Sequence, residues 1–281
     1  MQTGGSSASD GGTPSRAGSP SAGAGGAAQA GDAGATSSAG ASGSGGRGAQ
    51  PEDDLFFVPQ GLANTELDDE EGGGLTLIAF TLVQGASGPE LYAAVKNAGT
   101  TPACDAGMLT YFVDQAEQLV ATAASVLQSE RLYRLDDDMG PIVPCVAAGE
   151  IAMTASTNLP AELVIEELGY LKHSFPAFTV GDLVAIDALT VSEVRAVSTG
   201  AESAYAGRVS NGFDQPVSNA SVTVYPLNRV GRPLGVATSS APAEIPAGAV
   251  WNFETTGVSN LGVDHVAYVD GRPAAALGND W

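Results

Sequence analysis

Three sets of side chains in this sequence are of types that do chemistry. Cys104 and Cys145 are the only two cysteines in 281 residues, so they form one disulfide or stand as two separate buried thiols. Asp136-Asp137-Asp138-Met139-Gly140 packs three carboxylates ahead of a glycine. Such a loop can wrap a calcium ion, which needs several oxygens and a sharp turn. The spaced ligand set of an EF-hand loop is missing, so a solvated acidic loop is the competing reading. His173 and His265 are the only histidines and lie far apart. Each reads as a surface or interface residue, His173 within an interdomain segment Lys172-His173-Ser174-Phe175-Pro176. Neither stands beside a motif-placed Ser or Cys, so nucleophilic catalysis has no visible support. No G-x-S-x-G, phosphate-cradling loop or H-E-x-x-H occurs. The reading is of a protein without enzymatic activity, and calcium is the one cofactor the residue types suggest.

The charge balance narrows the partners. Asp and Glu outnumber Lys and Arg 32 to 11, for a net charge of −21. A chain this acidic repels phosphate backbones and anionic membrane surfaces, which argues against nucleic acid and lipid as partners. Two His and two Cys are too few for zinc fingers or iron–sulfur clusters. No run of 18 apolar residues marks a transmembrane helix.

The elements that would position these side chains begin late in the chain. Residues 1–50 hold 15 Gly, 12 Ala and 10 Ser, with no aromatic, Val, Ile or Leu. Nothing there can offset the entropy of ordering, so a disordered tether is expected. Residues 51–74 carry eight acids and no base and read as an acidic linker. Leu55-Phe56-Phe57-Val58 is its one apolar patch, either an edge strand docked on the first domain or a linear motif for a partner. After Met1, polar Gln-Thr-Gly-Gly lacks the basic start and apolar stretch of a signal peptide. A Gly/Ser/Ala tether before β-rich domains is nonetheless the expected look of a bacterial secreted protein or lipoprotein whose signal has been removed. A lipid anchor would then lie upstream of residue 1.

From Leu75 onward the chain repeats itself. A shift of 114 positions aligns Leu75–Asp114 with Leu189–Asn228 without a gap. Leu75-Thr76 falls on Leu189-Thr190, Val95 on Val209, Asn97 on Asn211, Pro102 on Pro216 and Tyr111 on Tyr225. Further on, Val146–Met153 matches Ile245–Asn252, and each copy closes with a strand, Leu163-Val164-Ile165 in the first and His265–Val269 in the second. Two diverged copies of one domain, spanning 75–174 and 175–281, account for this order. Both show period-two alternation, as in Ser221-Val222-Thr223-Val224-Tyr225, broken by turn signals such as Asn97-Ala98-Gly99 and Asn211-Gly212. The stretch Asp114 to Gln128 has some helical character, but its counterpart contains Pro233 and two glycines, which a helix would not tolerate. The expected fold class is all-β, two tandem immunoglobulin-like β-sandwiches. By the repeat, Cys104 corresponds to Ser218 and Cys145 to Glu244, each just before a core strand. A sandwich brings such positions together, and an exported protein meets an oxidising compartment, so the disulfide is the favoured state.

These residues resemble a known family. Gly207-Arg208-Val209-Ser210-Asn211, Val222-Thr223-Val224-Tyr225 and Pro246-Ala247-Gly248-Ala249-Val250-Trp251-Asn252-Phe253 are similar to the pattern of FxLYD-type immunoglobulin-like domains of bacterial envelope proteins. The first copy is similar through Ala94-Val95-Lys96-Asn97, Tyr111-Phe112-Val113-Asp114 and Ala148-Gly149-Glu150-Ile151-Ala152-Met153. It lacks the first Gly and ends in Met, and neither copy carries the full F-x-L-Y-D string. The resemblance implies a non-catalytic domain. The resulting expectation is an exported protein of the cell envelope, periplasmic, surface-bound or secreted, that presents two domains for protein interaction or assembly. Its partner would be an envelope or extracellular protein or glycan, bound at an exposed sheet edge or in a cleft near residues 170–185. The alternative is a calcium-dependent or carbohydrate-binding accessory module of a secreted system.

Overall fold

The computed structural model of the chain describes residues 56–57, 63–66, 74–85, 87–129, 132–135, 142–179, 183–186, 189–199 and 202–273. In chain order the strands are β1 (Phe56–Phe57), β2 (Ala63–Glu66), β3 (Leu75–Gln84), β4 (Pro89–Asn97), β5 (Ala103–Cys104) and β6 (Gly107–Asp114). Next come β7 (Leu119–Val126), β8 (Leu132–Leu135), β9 (Ile142–Val146), β10 (Ile151–Ser156), β11 (Leu168–Ser174) and β12 (Leu183–Ile186). The second half holds β13 (Leu189–Thr199), β14 (Glu202–Asn211), β15 (Val217–Leu227), β16 (Ala237–Ser240), β17 (Val250–Glu254) and β18 (Asp264–Pro273). The protein is all-β, as the alternation in both copies implies.

Each copy is a sandwich of two sheets. In the first, β1-β3-β4-β10 faces β2-β11-β6-β7, and Phe80, Leu82, Leu91, Met108, Phe112 and Leu171 fill the space between. In the second, β13-β14-β17 faces β16-β15-β18 around Tyr205, Val209, Val222, Val224 and Phe253. Alternation places these residues on inner faces because successive side chains of a strand point to opposite sides. Burying each one stabilises the sandwich by roughly 1.5–3 kcal/mol.

The repeat is written in the hydrogen bonds. Asn97 Nδ2 donates to the Thr101 and Val146 carbonyls, both at 2.8 Å, and its Oδ1 accepts from Gly99 N–H at 2.9 Å. Asn211, 114 positions later, donates to Gln215 O and Ile245 O at 2.9 Å and accepts from Phe213 N–H at 2.9 Å. A side-chain amide is required, since one group must both donate to carbonyls and accept from an amide. Asp114 Oδ1 likewise accepts from Ala116 and Gln118 N–H, both at 2.8 Å. Its counterpart Asn228 accepts from Val230 N–H at 3.1 Å and Arg232 N–H at 2.8 Å. Even the left-handed turn position recurs, with φ of 62° at Glu117 and 85° at Gly231.

The copies differ in what surrounds the sandwich. The first carries an extra sheet, β12-β8-β9-β5, whose strands β8 and β9 are inserted where the second has only the connection between β16 and β17. Its strand β12 lies beyond the 174/175 boundary drawn from the sequence, yet it pairs with β8 of the first copy. The segment read as an acidic linker also joins the first sandwich. Phe56–Phe57 pairs in parallel with Phe80–Thr81, and Ala63–Glu66 with Tyr170–His173. The docked edge strand is therefore what the apolar patch supplies, at least at Phe56–Phe57.

One expected element is displaced. Leu163-Val164-Ile165 is not the closing strand of the first copy; Ile165–Glu167 is a 3-10 turn, and Leu168–Ser174 closes the sandwich. Gly169, Lys172 and His173 interrupt the apolar alternation there, which hides the strand from a pattern search.

The two sandwiches meet through outer sheet faces. Ala79, Ala94 and Met153 of the first cluster with Tyr225 and Tyr268 of the second, all buried. Tyr268 Oη donates to Ile151 O at 3.2 Å, and Thr81 Oγ1 donates to Pro233 O at 2.6 Å. Arg232, 2% exposed, reaches Thr81 Oγ1 with Nη1 at 3.0 Å. Burial at this contact raises the Tyr225 phenol well above its usual range. The positions of the second copy equivalent to Ala79, Ala94 and Met153 are Glu193, Arg208 and Asn252. Glu193 and Arg208 form an exposed ion pair at 3.1 Å, so that face carries charge where the first copy has its interdomain contact.

Candidate functional site

The sequence-predicted residues are spread across the fold. Cys104 and Cys145 stand opposite each other in the β5·β9 pairing and form a disulfide. Both are buried, beside Tyr133 and Val143, so the bond cross-links two neighbouring strands of the extra sheet. Their counterparts Ser218 and Glu244 meet as well, with Ser218 Oγ donating to Glu244 Oε1 at 2.7 Å. Asp136, Asp137 and Asp138 lie outside the described residues. Among the described residues no group of three His, Cys, Asp or Glu is arranged to hold a metal ion.

One of the two histidines is not where the sequence suggests. His173 is not a surface or interdomain residue: it is fully buried on β11. Its Nδ1 lies 3.0 Å from Thr110 Oγ1, and its ring packs 5.2 Å from that of Phe80. Burial lowers its pKa to about 4, so the ring is neutral at pH 7. The second copy replaces this buried polar pair by Val224 and Ala267. His265 is half-buried on β18 with its ring 5.1 Å from Tyr205. The Tyr205 hydroxyl donates to Leu261 O, and burial pushes its pKa up to about 12. These contacts are structural ties within each sandwich.

Part of the stretch 170–185, where a cleft is expected, lies outside the described residues. Leu168–Ser174 is an inner strand of the first sandwich, and Leu183–Ile186 belongs to the inserted sheet. Among the described residues an open feature lies along β7. This strand is the edge of its sheet, and Leu119-Val120-Ala121-Thr122-Ala123-Ala124-Ser125-Val126 contains no charge, Pro or Gly. Three of its side chains, Leu119, Val120 and Val126, are exposed at 60%, 47% and 67%. The long edge strands β13 and β18 instead carry Glu193 and Arg195, and Asp264 and Asp270. Charges of that kind are how sheet edges resist pairing with another chain.

The register fixes which β7 groups are unpaired. Leu127 N–H bonds Ala106 O at 2.8 Å, and alternation of paired residues then turns Ala121, Ala123 and Ser125 toward β6. The backbone groups of Thr122, Ala124 and Val126 therefore point outward, where Val126 O accepts from Thr154 Oγ1 at 2.9 Å. Beside Thr122 and Ala124 is a hollow of about 260 Å³, walled by Ala155, Ser156, Asn158 and Leu159. A second hollow of about 240 Å³ lies further along β7, between Val120 and Pro160, Leu163 and Val164. Asp114, Glu162 and Glu167 rim that end, and Glu166 adjoins them.

The second copy closes the same seam. Thr256 N–H bonds Thr238 O at 2.8 Å, and Thr238 N–H bonds Thr256 Oγ1 at 3.3 Å. The equivalent residues of the first copy are Ala124 and Thr157, and no bond spans them.

No known protein family matches the chain, and no curated protein sequence does. Among solved structures it is similar to the crystal structure of red sea bream transglutaminase, at 12% identity and a TM-score of 0.19. The match covers 72% of this chain and 29% of that one, so the chain spans less than a third of that protein's length. At that TM-score the likeness bears on neither fold nor activity.

Proposed function

We propose that this chain is a non-enzymatic, exported protein of the bacterial cell envelope or exterior that presents two FxLYD-type immunoglobulin-like sandwiches for protein interaction or assembly. The observation that carries this reading is the uncharged, eight-residue edge strand β7, with outward backbone groups and a groove beside it. An uncharged edge strand beside an open hollow is a place where another chain adds. Three further observations support it. The Cys104–Cys145 disulfide suits an oxidising compartment. No helix among the described residues is long and apolar enough to cross a membrane. The buried contact of Ala79, Ala94 and Met153 with Tyr225 and Tyr268 holds the sandwiches together, which suits a presenting scaffold.

The test is a pull-down with the full chain against an envelope fraction of its source bacterium, together with cell fractionation. The reading expects the protein in the envelope or medium and a reproducibly enriched protein. A cytoplasmic protein that enriches nothing contradicts it.

A further inference from the structure

Taking the interaction reading as its base, the geometry points to the chemistry of the partner: we propose that β7 accepts an extended peptide strand with small or β-branched side chains and a Lys or Arg at one end. Three features of the molecule carry this. The first is the free ladder. Thr122 and Ala124 turn both N–H and C=O away from β6, which is the pattern an added strand requires. The second is the contrast between copies. The Thr238–Thr256 bonds zip the seam of the second sandwich shut, while the first leaves a hollow of about 260 Å³ beside Ala124. That hollow is lined by small and apolar residues, Ala155 and Leu159 among them, which suit small or β-branched side chains.

The third feature is charge. The groove is neutral along Thr122–Ala124 and ends among Asp114, Glu162, Glu166 and Glu167, with no base in its lining. In a chain of net charge −21, an acidic strand would be repelled on approach and a cationic end attracted. Val120, Leu163 and Val164 give that end an apolar floor for the methylene stem of the Lys or Arg.

The experiment uses the full chain and four synthetic ten-residue peptides. Two are alternating Thr-Val peptides with a Lys pair at the N- or the C-terminal end; two carry a Glu pair in the same places. Binding is read by titration calorimetry and by hydrogen exchange at the Thr122 and Ala124 amides. One Lys peptide is expected to bind and to slow exchange at both amides at least about tenfold. Raising the salt from about 0.05 to about 0.5 M weakens it roughly tenfold. Ala124→Pro removes an outward N–H without touching the β6 ladder, and Thr122→Lys places a charge on the edge. Both variants retain the melting temperature and lose the peptide. Equal binding of Lys and Glu peptides overturns the charge claim. Binding untouched by Ala124→Pro, or no binding by any peptide, overturns the strand-addition claim. A partner captured equally by wild type and Ala124→Pro in the pull-down would leave the broader interaction reading standing while refuting this site.

Discussion

Replacing Asn97 by Ala removes three hydrogen bonds at once from a side chain that is wholly buried. Each is worth about 1 kcal/mol net, and the buried Val146 carbonyl left without its donor adds to the loss. The expected cost is about 3 kcal/mol. With a urea m-value of about 2 kcal/mol/M for a chain of this size, the unfolding midpoint falls by about 1.5 M. Far-UV circular dichroism in urea reads this directly. Asn97→Asp is the sharper control, because it keeps the acceptor and turns the donor into an oxygen facing two carbonyls. It is expected to cost at least as much as Ala at pH 7. Asn211→Ala, which breaks the equivalent set, falls in the same range. A loss below about 1 kcal/mol for Asn97→Ala, or an Asp variant as stable as wild type, would refute the claim that this amide ties each sandwich.

Four other outcomes follow from the structure. Reducing the Cys104–Cys145 bond, or replacing both residues by Ser, releases a loop with a sequence separation of 41; by chain entropy it destabilises by about 4 kcal/mol, read by melting with and without reductant. His173 has a folded pKa of about 4, below its unfolded value near 6.5, so the unfolded state binds the proton first; stability is full above about pH 6.5 and declines by about 3 kcal/mol as pH falls to about 4. His173→Gln flattens that decline in urea titrations across pH. Ala94→Arg copies Arg208 of the second copy into the interdomain contact and is expected to split one melting transition into two, read by calorimetry. Glu117→Gly relieves a φ of 62° where the second copy has Gly231, and is expected to raise the urea midpoint by an amount equivalent to about 1 kcal/mol.

Much of the fold is legible in the residues, and the exceptions have physical causes. The 114-residue offset locates Asn97 and Asn211, Asp114 and Asn228, and the strands β3, β4 and β6 with their partners, because alternation and Asx turns are local properties of sequence. It also brings Cys104 and Cys145 together through their counterparts Ser218 and Glu244, which themselves hydrogen-bond. Strand β11 escaped because Gly169, Lys172 and His173 break its apolar pattern. The burial of His173 depends on Thr110, 63 residues away, and no local signal announces such a pair. Strands β1 and β2 sit among acids that look like a solvated linker; their pairing is parallel and long-range. The open edge was foreseeable only as a category. Which edge stays open is decided by whether Thr256 or a bond-less Thr157 stands across the seam, and that is a matter of tertiary geometry.

The central claim is that β7 offers unpaired backbone to a partner strand. Amide hydrogen exchange on the full chain, free and with the Lys peptide, tests it most directly by comparing Thr122 and Ala124 with Thr238. Rapid exchange is expected at Thr122 and Ala124 in the free protein, slower exchange at Thr238, and protection of the first two once the peptide is added. Amides at Thr122 and Ala124 that are already protected in the free chain, or that exchange equally fast with peptide present, would contradict it.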